Sequence, residues 1–244
     1  QGLGAVGVGV VMGAFGVFAQ ARAINSVLFE VSGGDPWTLL SVASLMMLIP
    51  VVTVAVNHHL TMRGSFGMLR SSPTLRFVVF AAMSYTIVSV QGSLTAIRAV
   101  SRVTHFTHYT VAHAHMGMYA FVTMMLFGAM YYMMPRLTGK EWPSRWLIRI
   151  HFWGCALGVL HYWIILSIGG IKQGLWLLDE TVPFMDIVKR MLPYLEQRSW
   201  AGAAMTTGHV AFVTSFVWLL MRKPSTGTEA TLLGSADTSK QAAS

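Results

Sequence analysis

The residues best suited to chemistry in this sequence are His113 and His115, which lie near the start of a long apolar run. Imidazole is the usual protein ligand of haem iron, and it titrates near neutral pH. Residues two positions apart point about 200° apart around a helix, so one metal ion cannot easily bind both rings. Two flat cofactors on opposite faces of the helix could take one imidazole each. Polar groups inside a membrane mark function, with hydrogen bonding between helices as the simpler alternative.

The other histidines suit that simpler role. We expect His151, His161 and His209 to form hydrogen bonds with neighbouring helices. His58 and His59 lie at the end of an apolar segment beside a basic loop, where an interfacial position costs little.

The composition is that of a membrane protein. Of the 244 residues, 54% are hydrophobic and 11% are charged, whereas a soluble domain usually carries about a quarter charged residues. The net charge of +8 lies in short stretches between apolar segments, which favours membrane topology over nucleic-acid binding. The single cysteine, Cys155, excludes a disulfide framework and a cluster of thiolate metal ligands. We predict an all-α integral membrane protein in a lipid bilayer, with no nucleic-acid partner.

The apolar segments predict the number of helices. A helix needs roughly 20 apolar residues to cross a hydrocarbon core of about 30 Å. Six segments predict a single transmembrane helical domain over 1–222, followed by a polar tail over 223–244. No basic region precedes the first segment, so we expect no signal peptide. The six predicted helices span about 3–28, 38–60, 75–97, 109–134, 146–170 and 202–222.

The basic loops predict the orientation. The loops at 61–75 and 135–149 are rich in Arg and Lys, and the last segment ends in Arg222 and Lys223. By the positive-inside rule, these loops and the C-terminus face the cytoplasm. The pair of histidines then lies near the outer end of the fourth segment.

Three stretches resemble a known family. They are HFTHYTVAHAHMG, GAMYYMMPRLTGK and IHFWGCALGVLHYWIILSIGGIKQGLW. Together they resemble the C-terminal half of subunit I of the haem-copper oxidase superfamily, most closely the cbb-type (C-family) cytochrome c oxidases and next the large subunit of nitric oxide reductases. The resemblance runs from about residue 36 to 222. It implies part of a haem-copper oxidase-like helical bundle in the inner (cytoplasmic) membrane of a bacterium.

The resemblance assigns roles to five residues within the membrane. His113 would bind the iron of a high-spin, gas-reactive haem, and His115 would be an axial ligand of a low-spin haem iron, with both haems of the b type. Asn57, Thr61 and Tyr85 stand where the family places the Asn, Thr and Tyr of a proton path. Asn and Thr also commonly bond between membrane helices, which is the simpler interpretation of each.

Three basic residues match family positions near the haem propionates. They are His105, Arg198 and Arg98. Propionates are anionic, and Arg pairs bidentately with carboxylates. This role would explain why Arg98 lies on the outer side, against the trend of the loop charges.

Other positions depart from the family pattern. The family's active-site copper is held by three histidines, of which a pair would fall at about 26–29, within AINSVLFEV. No histidine lies there, so copper is expected for the family but its ligands are absent from this chain. A family glutamate is replaced by Gln91 and a family aspartate by His108.

The resemblance implies a haem-binding membrane subunit of a respiratory electron-transfer complex. Electrons would pass through the low-spin haem to the high-spin haem, where oxygen would be reduced with proton uptake. A nitric oxide reductase-like enzyme, a copper-less haem electron-transfer subunit and a structural membrane subunit are the alternatives. The expected partners are other membrane subunits, including a chain that carries the missing first half, and a cytochrome c-type electron donor.

Overall fold

The computed structural model describes residues 42–223, and this part of the chain is helical throughout, without strands. The predicted segment at 3–28, the copper-ligand positions at 26–29 and the tail beyond residue 223 lie outside the described residues. A short 3₁₀ turn covers Phe66–Leu69, and a π-helix covers Met116–Thr123. The α-helices are α1 (Leu48–Met62), α2 (Pro73–Thr95), α3 (Arg98–Thr104), α4 (His108–His115), α5 (Met124–Thr138), α6 (Arg145–Leu177) and α7 (Phe184–Met221).

Five helical stretches are long and apolar enough to cross a membrane within the described part of the chain. Their exposed surface is apolar: Met118, Leu126 and Leu157 are each more than half exposed. Exposed side chains of this kind suit contact with lipid, so the chain is a multi-pass membrane protein with all-α architecture. The five stretches are Val42–Met62, Pro73–Thr95, His108–Thr138, Arg145–Leu177 and Phe184–Met221.

The last helix differs most from its predicted bounds. The sequence predicts a span at 202–222, whereas α7 begins at Phe184 and has 38 residues. Such a helix is about 57 Å long, against a hydrocarbon core of about 30 Å. Its first half carries charged residues but buries Ile187 and Met191. This packing stabilises the first half of the helix. A prediction based on hydrophobicity misses it because of its charged side chains.

Local signals explain where the helices begin and end. The Ser72 hydroxyl accepts a hydrogen bond from the Leu75 N–H (3.3 Å), and Pro73 occupies the first turn of α2. Ser144 caps α6 in the same way. Gly139 ends α5 in the left-handed conformation, with φ of 64°. In the turn before α7, hydrogen bonds from Thr181 hold the pKa of Asp179 below its usual value.

Close helix approaches depend on glycines of α6. A Cβ on Gly154 would lie 2.9 Å from the Ala204 carbonyl oxygen, so α6 and α7 are almost in backbone contact there. At the other end of α6, a Cβ on Gly174 would collide with the Val103 carbonyl at the end of α3. Small residues allow such packing between membrane helices.

The basic loops meet at one end of the bundle. The Lys140 ammonium donates to the Leu220 carbonyl (2.7 Å), and the Arg222 guanidinium donates to the Glu141 carbonyl (3.2 Å). These bonds fasten the α5–α6 turn to the end of α7. A cavity of about 800 Å³ between α2 and α6 is lined at the same end by arginines and aromatic residues, among them Arg70, Arg76, Trp146 and Arg149.

Candidate functional site

The rings of His113 and His115 lie on two different sides of α4. A Cβ on Gly92 would lie 3.0 Å from His113 Cε1, so this ring faces α2. The His115 ring stacks on Tyr162 of α6, with ring centroids 4.4 Å apart. The divergence expected from a spacing of two residues is therefore present, and each imidazole addresses a different neighbouring helix.

The hydrogen bond of His115 determines which nitrogen is free. His115 Nδ1 lies 2.8 Å from the Val111 carbonyl oxygen. A carbonyl can only accept, so Nδ1 carries the proton and Nε2 carries a lone pair. Histidines that ligate metals commonly donate their other ring N–H to a backbone carbonyl in this way. His115 is thus in the tautomer and orientation that an axial ligand of iron requires.

His113 contains a polar atom without a partner. Its Nδ1 atom is buried and has no hydrogen bond within the described part of the chain. Buried polar atoms nearly always form a hydrogen bond, because a buried polar atom without one costs about 1–3 kcal/mol. The His113 ring faces α2, away from the side of α4 on which His115 contacts α6. The donor set of the pair therefore fits one haem on each face of α4.

A π-helix follows the pair directly. It covers Met116–Thr123, and the Thr123 hydroxyl donates to the Met118 carbonyl five residues back (2.8 Å). π-Helical turns are rare and occur frequently at functional sites. The wider turn changes the faces that α5 presents after the histidines. No periodicity in the sequence predicted it.

The three basic residues predicted near the propionates lie at two levels. Arg198 of α7 interacts electrostatically with Tyr162, the residue on which His115 stacks. Arg98 is the first residue of α3 and His105 follows its last residue, and α3 packs on α6 at Gly174. Gly174 is about 18 Å along α6 from Tyr162. Arg198 therefore lies beside the His115 stack, whereas α3 packs on α6 well away from that stack.

The residues predicted for a proton path are brought together only in part. The Thr61 hydroxyl donates to the Asn57 carbonyl (2.8 Å) on α1. Thr61 also lines a cavity of about 220 Å³ between α1 and α2, where Thr86 provides a second hydroxyl. Tyr85 packs instead against Phe121, with ring centroids 5.1 Å apart. Among the described residues, no hydrogen bond joins Tyr85 to Asn57 or Thr61.

Gln91 and His108, which the resemblance places at two acidic positions of the family, both have polar partners. The buried Gln91 side chain accepts a hydrogen bond from the Trp163 indole N–H (2.9 Å). His108 contacts the Gln173 side-chain oxygen through both its backbone N–H (3.0 Å) and Nδ1 (2.8 Å). These pairs link α2 and α4 to α6. Both partners on α6, Trp163 and Gln173, lie within the long sequence motif quoted above.

Sequence reasoning missed a second group of potential ligands. His151 and Cys155 of α6 and His209 of α7 each offer one donor atom, and these atoms lie within 4.8 Å of one another. His151 and His209 also pair with tyrosine hydroxyls, and His161 with Gln197, as hydrogen-bonding histidines are expected to do. Cys155 forms no thiolate cluster with other cysteines, but its thiol lies beside two imidazoles.

Comparison with known proteins identifies the class of protein. The family model described as "Cytochrome C and Quinol oxidase polypeptide I" matches residues 31–204, which is more than half of the chain. The chain belongs to this family, haem-copper oxidase subunit I, whose members bind haems and copper. They are subunits of oxidase complexes.

Individual relatives are cytochrome c oxidase subunits, one of them of the cbb3 type. The chain is 36% identical to the Cbb3-type cytochrome c oxidase subunit CcoN1 of Stutzerimonas stutzeri, over 68% of this chain and 37% of that protein. It is 30% identical to the Cytochrome c oxidase subunit 1 homolog of Agrobacterium tumefaciens (strain T37), over 70% of this chain and 33% of that protein. The chain thus spans about a third of the length of these curated relatives.

A solved structure shares the fold. It is a heme-copper terminal oxidase dimer determined by cryo-electron microscopy, with a TM-score of 0.55 and 17% sequence identity. The match covers 80% of this chain and 42% of that chain. The helical arrangement is therefore that of a haem-copper oxidase.

Proposed function

We propose that the chain is the haem-binding C-terminal part of subunit I in a respiratory terminal oxidase of the cbb type. The observation that carries this proposal is the pair on α4: His113 and His115 face α2 and α6, and His115 presents an unprotonated Nε2. His115 would hold a low-spin b-type haem and His113 a high-spin one. When bound, the two haems supply electron transfer and an open iron at which oxygen is reduced.

The surrounding residues would fix each imidazole. The Val111 carbonyl holds the His115 ring in the required tautomer, and the Tyr162 ring supports its face. Gly92 leaves the space that the His113 ring occupies beside α2. Arg198 places positive charge beside Tyr162, and with Arg98 and His105 it would neutralise the propionates.

Protons would enter from the basic end of the bundle. Thr61 lies one residue before the end of α1, at the end where the basic loops meet, and lines the small cavity there. Tyr85 lies twelve residues into α2, about 18 Å from the start of that helix, and directly precedes Thr86, which lines the same cavity as Thr61. We propose that Asn57 and Thr61 receive protons and that Tyr85 receives them next.

The orientation and partners follow from the same proposal. The basic loops and the C-terminus would face the cytoplasm of a bacterium, by the positive-inside rule. We propose other membrane subunits as partners, because members of the family are subunits of oxidase complexes. A cytochrome c-type protein would donate the electrons.

A copper-less haem electron-transfer subunit is the second candidate. It is favoured by the sequence at 26–29, where the family pair of copper ligands would fall and no histidine is present. In that case the chain would carry electrons without reducing oxygen. Reduction of nitric oxide instead of oxygen is a third outcome that the same assays distinguish.

The test is the haem content and the turnover of the purified membrane complex. We expect two b-type haems that depend on this chain, with oxygen consumption driven by reduced cytochrome c. Haem without oxygen consumption would favour the electron-transfer subunit, and nitric oxide consumption would favour the reductase. Absence of haem would overturn the proposal and leave a structural subunit.

A further inference from the structure

A group of donor atoms between α6 and α7 has no role in the function proposed above. We propose that His151, Cys155 and His209 form a copper site that binds Cu(I). Tyr162, which stacks on His115, lies about 16 Å further along α6 from His151. The site is therefore separate from the pair on α4, and its existence does not depend on haem binding there.

The backbone places the three donors on one side of a narrow interface. Cys155 follows His151 by four residues, so both side chains lie on the same face of α6. His209 faces them from α7, directly after Gly208. A Cβ on Gly208 would lie 2.8 Å from Cys155 Sγ, so only glycine lets α7 come this close to the thiol.

The distances suit a trigonal metal site. The three donor atoms lie within 4.8 Å of one another. Metal–nitrogen bonds of about 2.0 Å and metal–sulfur bonds of about 2.3 Å separate such donors by roughly 3.5–4 Å, so a contraction of about 1 Å would close the site. Small side-chain rotations achieve a shift of this size.

A buried nitrogen of His151 is a second, independent observation that points to a bound metal. The residue is fully buried, and its Nε2 atom has no hydrogen-bond partner in the described part of the chain. Its other nitrogen, Nδ1, lies 2.8 Å from the Tyr131 hydroxyl. When Nδ1 donates to that hydroxyl oxygen, Nε2 holds a lone pair for a metal, which is the usual arrangement of a metal-binding histidine.

His209 and Cys155 are held in a similar way. The Tyr119 hydroxyl oxygen lies 2.8 Å from His209 Nε2; when the Nε2–H donates to it, Nδ1 holds a lone pair for the metal. The same hydroxyl contacts the Cys155 thiol. Tyr119 belongs to the π-helix, so this rare element positions a residue that supports two of the three ligands.

The surroundings select the metal. The rings of Phe77, Phe127 and Phe212 lie 4.4–5.1 Å from that of His151, so the site is apolar. A thiolate with two neutral imidazoles forms a neutral complex with Cu(I) but a cation with Zn²⁺, and buried net charge is costly. Thiolate and imidazole ligands also favour Cu(I) over harder ions. Binding forms a Cu–S bond, breaks the S–H bond and releases the proton to solvent.

The test uses the single cysteine of the chain. The complex in detergent is reacted anaerobically with a small alkylating reagent, with and without Cu(I), at the lowest denaturant concentration at which buried Cys155 of the metal-free protein is alkylated, and the Cys155 peptide is read by mass spectrometry. We expect one equivalent of Cu(I) to slow alkylation at least tenfold, with Zn²⁺ much less effective. No mutation is needed, so a failure to fold cannot confuse the result.

Matched variants identify the other ligands. His151→Gln and His209→Gln should abolish the protection by Cu(I), whereas His161→Gln, on the same helix but outside the group, should retain it. Equal alkylation with and without Cu(I) in the unmutated protein would overturn the site. Stronger protection by Zn²⁺ than by Cu(I) would overturn the choice of copper, and protection that survives both substitutions would overturn the ligand set.

Discussion

At the scale of single residues, the chemistry depends on what each imidazole nitrogen already contacts. His115 donates to a backbone carbonyl and keeps Nε2 free, while His113 and His151 each bury a nitrogen that has no partner among residues 42–223. His209 has one nitrogen engaged by a tyrosine. Histidines within the membrane-spanning helices thus differ in which ring nitrogen is hydrogen-bonded. The sequence alone cannot show this difference, because several of the partners come from distant segments.

The proposed proton path gives a prediction for Thr61. Thr61→Val removes the hydroxyl from the small cavity and should slow proton-coupled turnover by about 10²-fold. Tyr85→Phe should have a similar effect. Stopped-flow measurement of proton uptake by the complex checks this expectation, with haem absorbance monitored to show that the fold is intact.

The control for that prediction lies on the same helix. Thr53 makes the same kind of hydrogen bond, from its hydroxyl to the Ile49 carbonyl (2.9 Å), about two turns before Thr61. Thr53→Val should leave proton uptake unchanged. Equal slowing by Thr53→Val and Thr61→Val would count against a specific path.

Gln91 gives a prediction about stability. Gln91→Leu leaves the Trp163 indole N–H without its acceptor and should lower the free energy of unfolding by about 1 kcal/mol. Adding Trp163→Phe removes the unpaired donor, so the double variant should lose less than the sum of the two single variants. Thermal unfolding of the two single variants and the double variant in detergent measures these losses. If the losses in unfolding free energy were strictly additive, they would contradict the predicted pairing.

At the scale of elements, helix contacts are limited by where backbones can approach. Gly174→Ala places a methyl group against the Val103 carbonyl and should lower the unfolding temperature, because backbone atoms cannot move aside as a side chain can. Gly202→Ala is the matched control, since a Cβ at Gly202 meets no atom of the described residues within 4 Å. That variant should be neutral or slightly stabilising, by up to about 1 kcal/mol. Equal destabilisation by both variants would refute the close approach.

The elements also show how far the sequence could predict the fold. The start of α2 was predicted within two residues, because hydrophobicity changes sharply there and Ser72-Pro73 forms a local cap. The first half of α7 was missed because its stability comes from residues such as Ile187 packing on other elements, which composition does not reveal. The π-helix and the group around Cys155 were missed for the same reason: each depends on contacts between segments far apart in the chain.

At the scale of the whole molecule, the helices alternate in direction and gather the basic loops at one end. The orientation proposed from this asymmetry can be measured with single cysteines in a Cys155→Ser background. Ser71→Cys, at the basic end, should react with an impermeant maleimide only from the cytoplasmic side. Glu180→Cys, in the exposed α6–α7 turn, should react only from the opposite side. The reverse pattern would invert the proposed topology.

The central claim is that α4 serves two haems, one on each face. It is tested most directly by optical spectra of the reduced complex with and without carbon monoxide, for His113→Ala, His115→Ala and the control His161→Ala. We predict that His115→Ala loses the low-spin bands and keeps the carbon monoxide shift, that His113→Ala shows the reverse, and that the control resembles the unmutated protein. Unchanged spectra in both variants, or loss of the same band from both, would contradict the claim.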